Sequence, residues 1–185
     1  QRNRHHRHSL ALLILDPKGE HLVCAQPDSA KANGAAVLVP PQQWYHQAEP
    51  ARTMAHQMTQ SLLMYRLQSN EVQYLGHGFG NQHLDATTTR RHQKYVHWFA
   101  HVVPHRYRVR GFHRLLRNTP SFSGVQWLRI QQFCNIHSGE AVSDEKLRLV
   151  MQALWVLTRD EQLRESPAAQ ISGRYLAPEL IPATT

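Results

Sequence analysis

Leu10-Ala11-Leu12-Leu13-Ile14-Leu15 is the longest uninterrupted apolar run in the chain, and Asp16-Pro17-Lys18-Gly19 ends it. Six residues fall far short of the roughly 20 that cross a bilayer. They are also too few, after the basic Gln1–His8 stretch, for a secretory leader, so no membrane partner is expected. The run therefore reads as a short buried strand, Ser9–Leu15, and the Pro/Gly tetrapeptide as the turn of a hairpin. His21–Gln26 answers as the second strand, and Ala35–Val39 as a third, stopped by Pro40-Pro41. Residues 1–8 read as a basic, disordered arm ahead of a single domain spanning 9–165. The Pro- and Ala-rich residues 166–185 read as an irregular tail.

After the third strand the apolar period changes. Met54, Met58, Leu62 and Tyr65 recur at helical spacing, with Pro50 suited to a first turn, so the pattern predicts a helix over about 49–68. Glu71–Gly76 reads as a strand, followed by Gly76-His77-Gly78-Phe79-Gly80 as a flexible turn. That stretch lacks the Lys-Ser/Thr ending of a phosphate-cradling loop. Lys94–Val103 alternates strongly, with Val96, Trp98, Ala100 and Val102 on one side, and Val125–Ile130 is a further strand. A C-terminal helix is expected over about 143–163, capped by Ser143 and carrying Leu147, Val150, Met151, Leu154 and Leu157. This order predicts an α/β fold, an α-β-α sandwich with a mixed sheet.

Charge is unevenly placed. The chain carries 21 Lys+Arg against 13 Asp+Glu, a formal net charge of +8, with 14 His besides. Between Ala86 and Gly139 lie nine Lys/Arg and six His, with no carboxylate at all. Uncompensated positive charge attracts phosphate-bearing or otherwise acidic partners, and it leaves the middle of the chain without oxygens for Mg²⁺ or Ca²⁺. Arg90, Arg91, Lys94, Arg106, Arg108 and Arg110 are the candidate ligand contacts. Arg106, Arg108 and Arg110 share one side of any extended segment, and Tyr95, Phe99, Tyr107 and Phe112 could stack bases.

Other chemistry is thinly supported. His97 and His101 share a strand face but stand about 13 Å apart, too far for one zinc ion. His5, His6 and His8 could chelate loosely. Cys24 reads as core, and Cys134 near His137 in sequence is not a catalytic pair on spacing alone. Two cysteines make neither a disulfide framework nor a four-thiolate site, so a reduced, cytoplasmic setting is the default, with no metal and no cofactor expected.

The element order, with Val39-Pro40-Pro41-Gln42 entering the long helix, resembles the Nudix hydrolase family over roughly Ser9–Leu163. The family's box fits the segment from Gln42 to Met64 without a gap, and its two apolar positions survive as Met58 and Met64. The other positions are altered. The opening glycine is Gln42, the first glutamate falls on Ala48, and the arginine on His56. The metal-binding glutamates fall on Gln57, Gln60 and Ser61, and the closing glycine on Leu63. The resemblance implies an enzyme that attacks a pyrophosphate with water activated by divalent cations, which the helix's glutamates hold, and neutral side chains at 57, 60 and 61 remove the charge those cations need. The expectation is a degenerate, non-catalytic domain that binds a nucleotide, a phosphorylated ligand or a nucleic acid such as RNA. A protein-interaction or homodimerisation domain meeting an acidic partner is the alternative. A third reading is an atypical metal-dependent nucleoside-diphosphate hydrolase rebuilt on Glu49, Glu71 or Asp85.

Overall fold

The computed structural model describes residues 7–27, 38–45, 50–80, 94–106, 108–110, 112–113, 122–138 and 141–180. Among these residues, seven strands form one mixed sheet: β1 (Arg7–Leu15), β2 (His21–Pro27), β3 (Gln42–Tyr45), β4 (Gln73–Gly80), β5 (Lys94–Val102), β6 (Phe112–His113) and β7 (Phe122–Arg129). Their order is β4-β5-β1-β2-β7-β6, with β3 also paired to β1. β1 and β5 run parallel over nine rungs, Arg7↔Lys94 to Leu15↔Val102. The remaining pairs are antiparallel. Among the described residues, four α-helices cover the sheet: α1 (Ala51–Leu63), α2 (Ile130–His137), α3 (Ala141–Leu157) and α4 (Pro167–Leu180).

The unbroken apolar run now has its reason. Leu10, Leu12 and Ile14 point to one face, where they pack in a cluster with Met54, Met58 and Leu62 of α1. Ala11, Leu13 and Leu15 point to the other, where Phe133, Val150, Leu154 and Ala168 of α2, α3 and α4 meet them. A strand covered on both sides has no solvent face, so alternation disappears. The α-β-α layering matches the expected fold class.

Several boundaries move. Arg7 and His8 belong to β1, opposite Lys94 and Tyr95, so the expected arm over 1–8 is shortened by pairing with β5; residues 1–6 lie outside the described residues. Of the third strand at 35–39, Val39 makes a two-bond bridge to Ala25, at 2.7 and 2.9 Å, and 35–37 lie outside the described residues. Extended structure resumes past the prolines as β3, because the Pro41 carbonyl can still accept from Leu12 N–H at 2.8 Å. The Gly76–Gly80 stretch is strand rather than turn, since pairing with Lys94–Trp98 overrides its weak propensity. Arg106, Arg108 and Arg110, expected as an extended ladder, lie in an irregular segment after β5.

The helices differ too. α1 ends at Leu63 instead of near 68: Met64 takes a left-handed backbone, φ 59, and its N–H bonds to Gln60 O at 2.8 Å. Met64 is 53% exposed, so it contributes little packing to offset a conformation that costs L-residues about 1–2 kcal/mol. Met64→Gly is therefore expected to stabilise the fold by about 0.5–1 kcal/mol, after the entropy glycine adds to the unfolded chain, as read from the denaturant midpoint. α2 was not anticipated. It starts where β7 stops, and Ile130 and Phe133 bury its inner side. α3 begins at Ala141, two residues before the expected cap at Ser143, whose side chain lies outside the described residues, and it stops at Leu157 before a short 3-10 turn over Glu161–Leu163.

The expected irregular tail is the largest correction, because Pro167–Leu180 is helical. Proline is at home in a first turn and alanine is the best helix former, so richness in both marks a helix start here. Ser166 Oγ accepts from Ala169 N–H at 3.2 Å, as a capping side chain does. Ala168, Ala169, Ser172 and Leu176 are buried, and Ala168 and Leu176 join the cluster that α2 and α3 form.

Candidate ligand site

The helix that the box resemblance singles out is α1, and its side chains have definite partners. His56 Nε2 hydrogen-bonds Leu67 O at 2.7 Å, while Gln60 Oε1 accepts from Leu67 N–H at 2.9 Å. Both polar groups of one backbone residue are thereby tied to α1, which folds the chain back after Met64. An amide does this with its neutral oxygen, so Gln60 anchors the loop that follows α1. Gln57 is exposed and Ser61 half-buried, and the spacing 57, 60, 61 places all three on one helical face. Met58 is fully buried, as the box position requires of an apolar residue, whereas Met64 is exposed. Gln42 donates to Ser9 Oγ at 2.9 Å and accepts from Lys146 Nζ at 2.8 Å, bridging β3, β1 and α3. Ala48 lies outside the described residues.

The carboxylates weighed for a rebuilt metal site are not assembled by any described contact. Glu71 is exposed, and its Oε2 accepts from Gln68 N–H at 2.6 Å. Glu49 and Asp85 lie outside the described residues. Among the described residues, no group of three or more His, Cys, Asp or Glu could hold a metal ion.

Arg106, Arg108 and Arg110 are exposed, and Arg110 N–H bonds Leu62 O at 2.9 Å. That bond sets the arginine segment against the last turn of α1, a proximity invisible in sequence. Arg106 Nη1 stands 3.1 Å from His21 Nε2, and His21 Nδ1 stands 3.5 Å from Asp16 Oδ2. Asp16 Oδ1 in turn accepts from Glu20 and His21 N–H, each at 2.8 Å, closing the β1–β2 turn. Arg90 and Arg91 lie outside the described residues, as do the side chains of Lys94, Tyr95 and Phe112 and all of Tyr107. Phe99, expected as a stacking platform, is 3% exposed and belongs to the core beneath α1, so it offers no face to a base.

The histidines divide as their separation required. His101 is buried; its Nδ1 faces Glu71 O at 2.8 Å and its Nε2 meets Tyr65 Oη at 2.6 Å. The carbonyl accepts from Nδ1–H and the Tyr65 hydroxyl pairs with Nε2, while burial lowers the pKa of the ring below the ordinary histidine value and so favours its neutral form. His97 instead meets Tyr74, His8 and His77. His8 and His77 were missed as its neighbours, because strand pairing across β1, β5 and β4 has no local signature. His137 is buried beside Phe133 and holds Leu38 O at 2.7 Å, its pKa lowered by burial. Burial raises the thiol pKa of both Cys24 and Cys134, opposite to what a nucleophile needs.

No protein-family model matches the chain. No curated protein matches it in sequence. Solved structures do. The NUDIX domain of Shewanella oneidensis NrtR, solved with ADP ribose, superposes with a TM-score of 0.57 at 11% identity, covering 83% of this chain and 89% of that one. The C-terminal domain of mouse MUTYH, solved with human PCNA, gives 0.50 at 16% identity over 79% and 88%. The chain has a Nudix-like fold. Among the described residues, no helix is long and apolar enough to cross a membrane.

Proposed function

We propose that this domain binds a phosphate-bearing ligand, with a nucleoside diphosphate sugar such as ADP ribose as the leading class, and that it does not hydrolyse it. The observation carrying this reading is the clamp on Leu67: His56 and Gln60, at two positions of the box helix, are committed to holding the backbone. A glutamate at 60 would keep the bond but bring charge; a glutamine keeps only the bond. Arg106, Arg108 and Arg110 then supply exposed cations beside the same helix, where Arg110 is tied to Leu62. The fold likeness to a domain solved with ADP ribose supports the ligand class. A nucleic-acid segment would use the same arginines. The likeness to a domain solved with PCNA favours, as the second reading, a protein partner or a second copy of this chain on the basic face. A cytoplasmic location fits the two free thiols.

Calorimetry with ADP ribose is expected to show binding that the triple variant Arg106→Ala, Arg108→Ala, Arg110→Ala weakens about 100-fold, the equivalent of about 3 kcal/mol in lost charge-assisted hydrogen bonds. No AMP should appear when Mg²⁺ or Mn²⁺ is added. Metal-dependent release that Glu49→Gln or Glu71→Gln abolishes would restore the hydrolase reading. Unchanged binding in the triple variant removes the arginine site. For a nucleic-acid ligand, the slope of log affinity against log salt should flatten by about 0.7–0.9 for each phosphate that the variant no longer neutralises.

A further inference from the structure

The glycine-rich half of β4 and the histidines beside it play no part in the proposed ligand site. β4 is an edge strand, hydrogen-bonded to β5. Its register shifts between Tyr74 and Gly76, and Gly76 stands at φ +122 with nothing within 4 Å of an added Cβ. The strand therefore bends at a point where a backbone hinge meets no steric resistance. Beyond the bend, Gly76, Gly78 and Gly80 alternate with His77 and Phe79. Glycines lose more chain entropy on pairing and add no side-chain packing, so this half of the ladder is weakly held.

His77 lies directly across from His97, with ring centroids 5.9 Å apart, and His8 of β1 stacks on the other side of His97 at 5.8 Å. Tyr74 Oη meets His97 Nδ1 at 3.1 Å, on the near side of the bend. Three titratable residues thus face His97: His8 from β1, and Tyr74 and His77 from β4. His101, on the same face of β5, is engaged with Tyr65 and Glu71.

We propose that Gly76–Gly80 is an acid-released flap: charging the histidine row parts the outer half of β4 from β5, with the Gly76 bulge as hinge. Like charges on facing rungs repel, and two imidazolium rings about 6 Å apart on a half-exposed surface lose enough to open a ladder this weak. Burial and the charges of His8 and His77 both lower the pKa of His97. A lowered value in the closed state means that closure is fully favoured above about pH 6.5 and loses ground as pH falls below it, because the open strand takes up the proton first. The Tyr74 hydroxyl can donate to neutral His97 or accept from its cation, so the near half of β4 stays in place. Opening bares the β5 edge at Lys94–Val96 to another strand. The proposal stands apart from the ligand reading and does not rest on it.

Hydrogen exchange on the full chain at pH 7.5 and pH 5.0, corrected for intrinsic rates, tests it. Amides of 76–80 are expected to open about tenfold more readily at pH 5.0, while those of the β2–β7 ladder hold. His77→Gln, at an exposed position, should keep the fold and abolish the acid effect; His97→Phe should do the same. Equal protection at both pH values overturns the proposal. So does an acid effect of undiminished size in His77→Gln, or a loss shared equally by β2 and β7.

Discussion

Ending the chain at Glu165 is expected to abolish cooperative folding. The removed residues include α4, whose Ala168 and Ser172 are fully buried, with Ala169 and Leu176 4% exposed. Ala168 and Leu176 sit in the same cluster as Leu13, Phe133, Met151 and Leu154, so truncation strips the cover from the outer side of α2 and α3 and opens that cluster to solvent. It also removes Ser166, whose Oγ donates to Leu163 O at 2.6 Å and closes the turn leading out of α3. Exposing several fully buried apolar side chains, at about 1.5–3 kcal/mol each, reaches the 5–15 kcal/mol that holds a domain of this size together. Circular dichroism and a thermal melt of the 1–165 fragment give the readout. A sharp transition at the full-length midpoint would show that α4 is an appendage, as its composition alone suggests.

Why composition misled there, and not elsewhere, is physical. Leu10–Leu15 announces itself as an unbroken apolar run and Met54-Met58-Leu62 as a helical stripe, because burial on two faces and on one face writes those two patterns, and both elements lie where the patterns put them. α4 is packed through alanine, serine and glycine, residues that bury by being small and leave no apolar stripe. The parallel pairing of β1 with β5 joins residues more than 80 positions apart, and no local signal records it. The histidine row and the Arg110–Leu62 contact follow from such pairings, so neither was legible. The altered box letters were legible, but their use was not: that His56 and Gln60 hold Leu67 depends on where the chain turns after Met64. Three of the six ligand candidates, Arg106, Arg108 and Arg110, are placed as exposed side chains, though on an irregular segment rather than a ladder.

Gly19→Ala is expected to cost about 2–5 kcal/mol, an unusual penalty for one methyl group in a hairpin turn. Two terms combine. Gly19 has φ +66, which an L-residue adopts at a cost of about 1–2 kcal/mol. A Cβ there would also stand 2.7 Å from Ser166 Cβ and 2.8 Å from its Oγ. Ser166 cannot swing aside cheaply, because that Oγ donates to Leu163 O and accepts from Ala169 N–H at the start of α4. Nor can the turn retreat, since Gly19 O accepts from Ala168 N–H at 2.9 Å. Overpacking at such a contact adds about 1–3 kcal/mol. Gly124 supplies the control: it has φ +61 and nothing within 4 Å of an added Cβ, so Gly124→Ala carries the backbone term alone. Urea midpoints for the two variants separate the terms. If Gly19→Ala costs no more than Gly124→Ala, the hairpin and α4 are not in the contact described, and the truncation argument loses its strongest support. If it costs about twice as much, adding Ser166→Gly should lift the clash; the cap removed with that hydroxyl, worth about 1 kcal/mol, must be measured in the single Ser166→Gly variant before the cycle is closed.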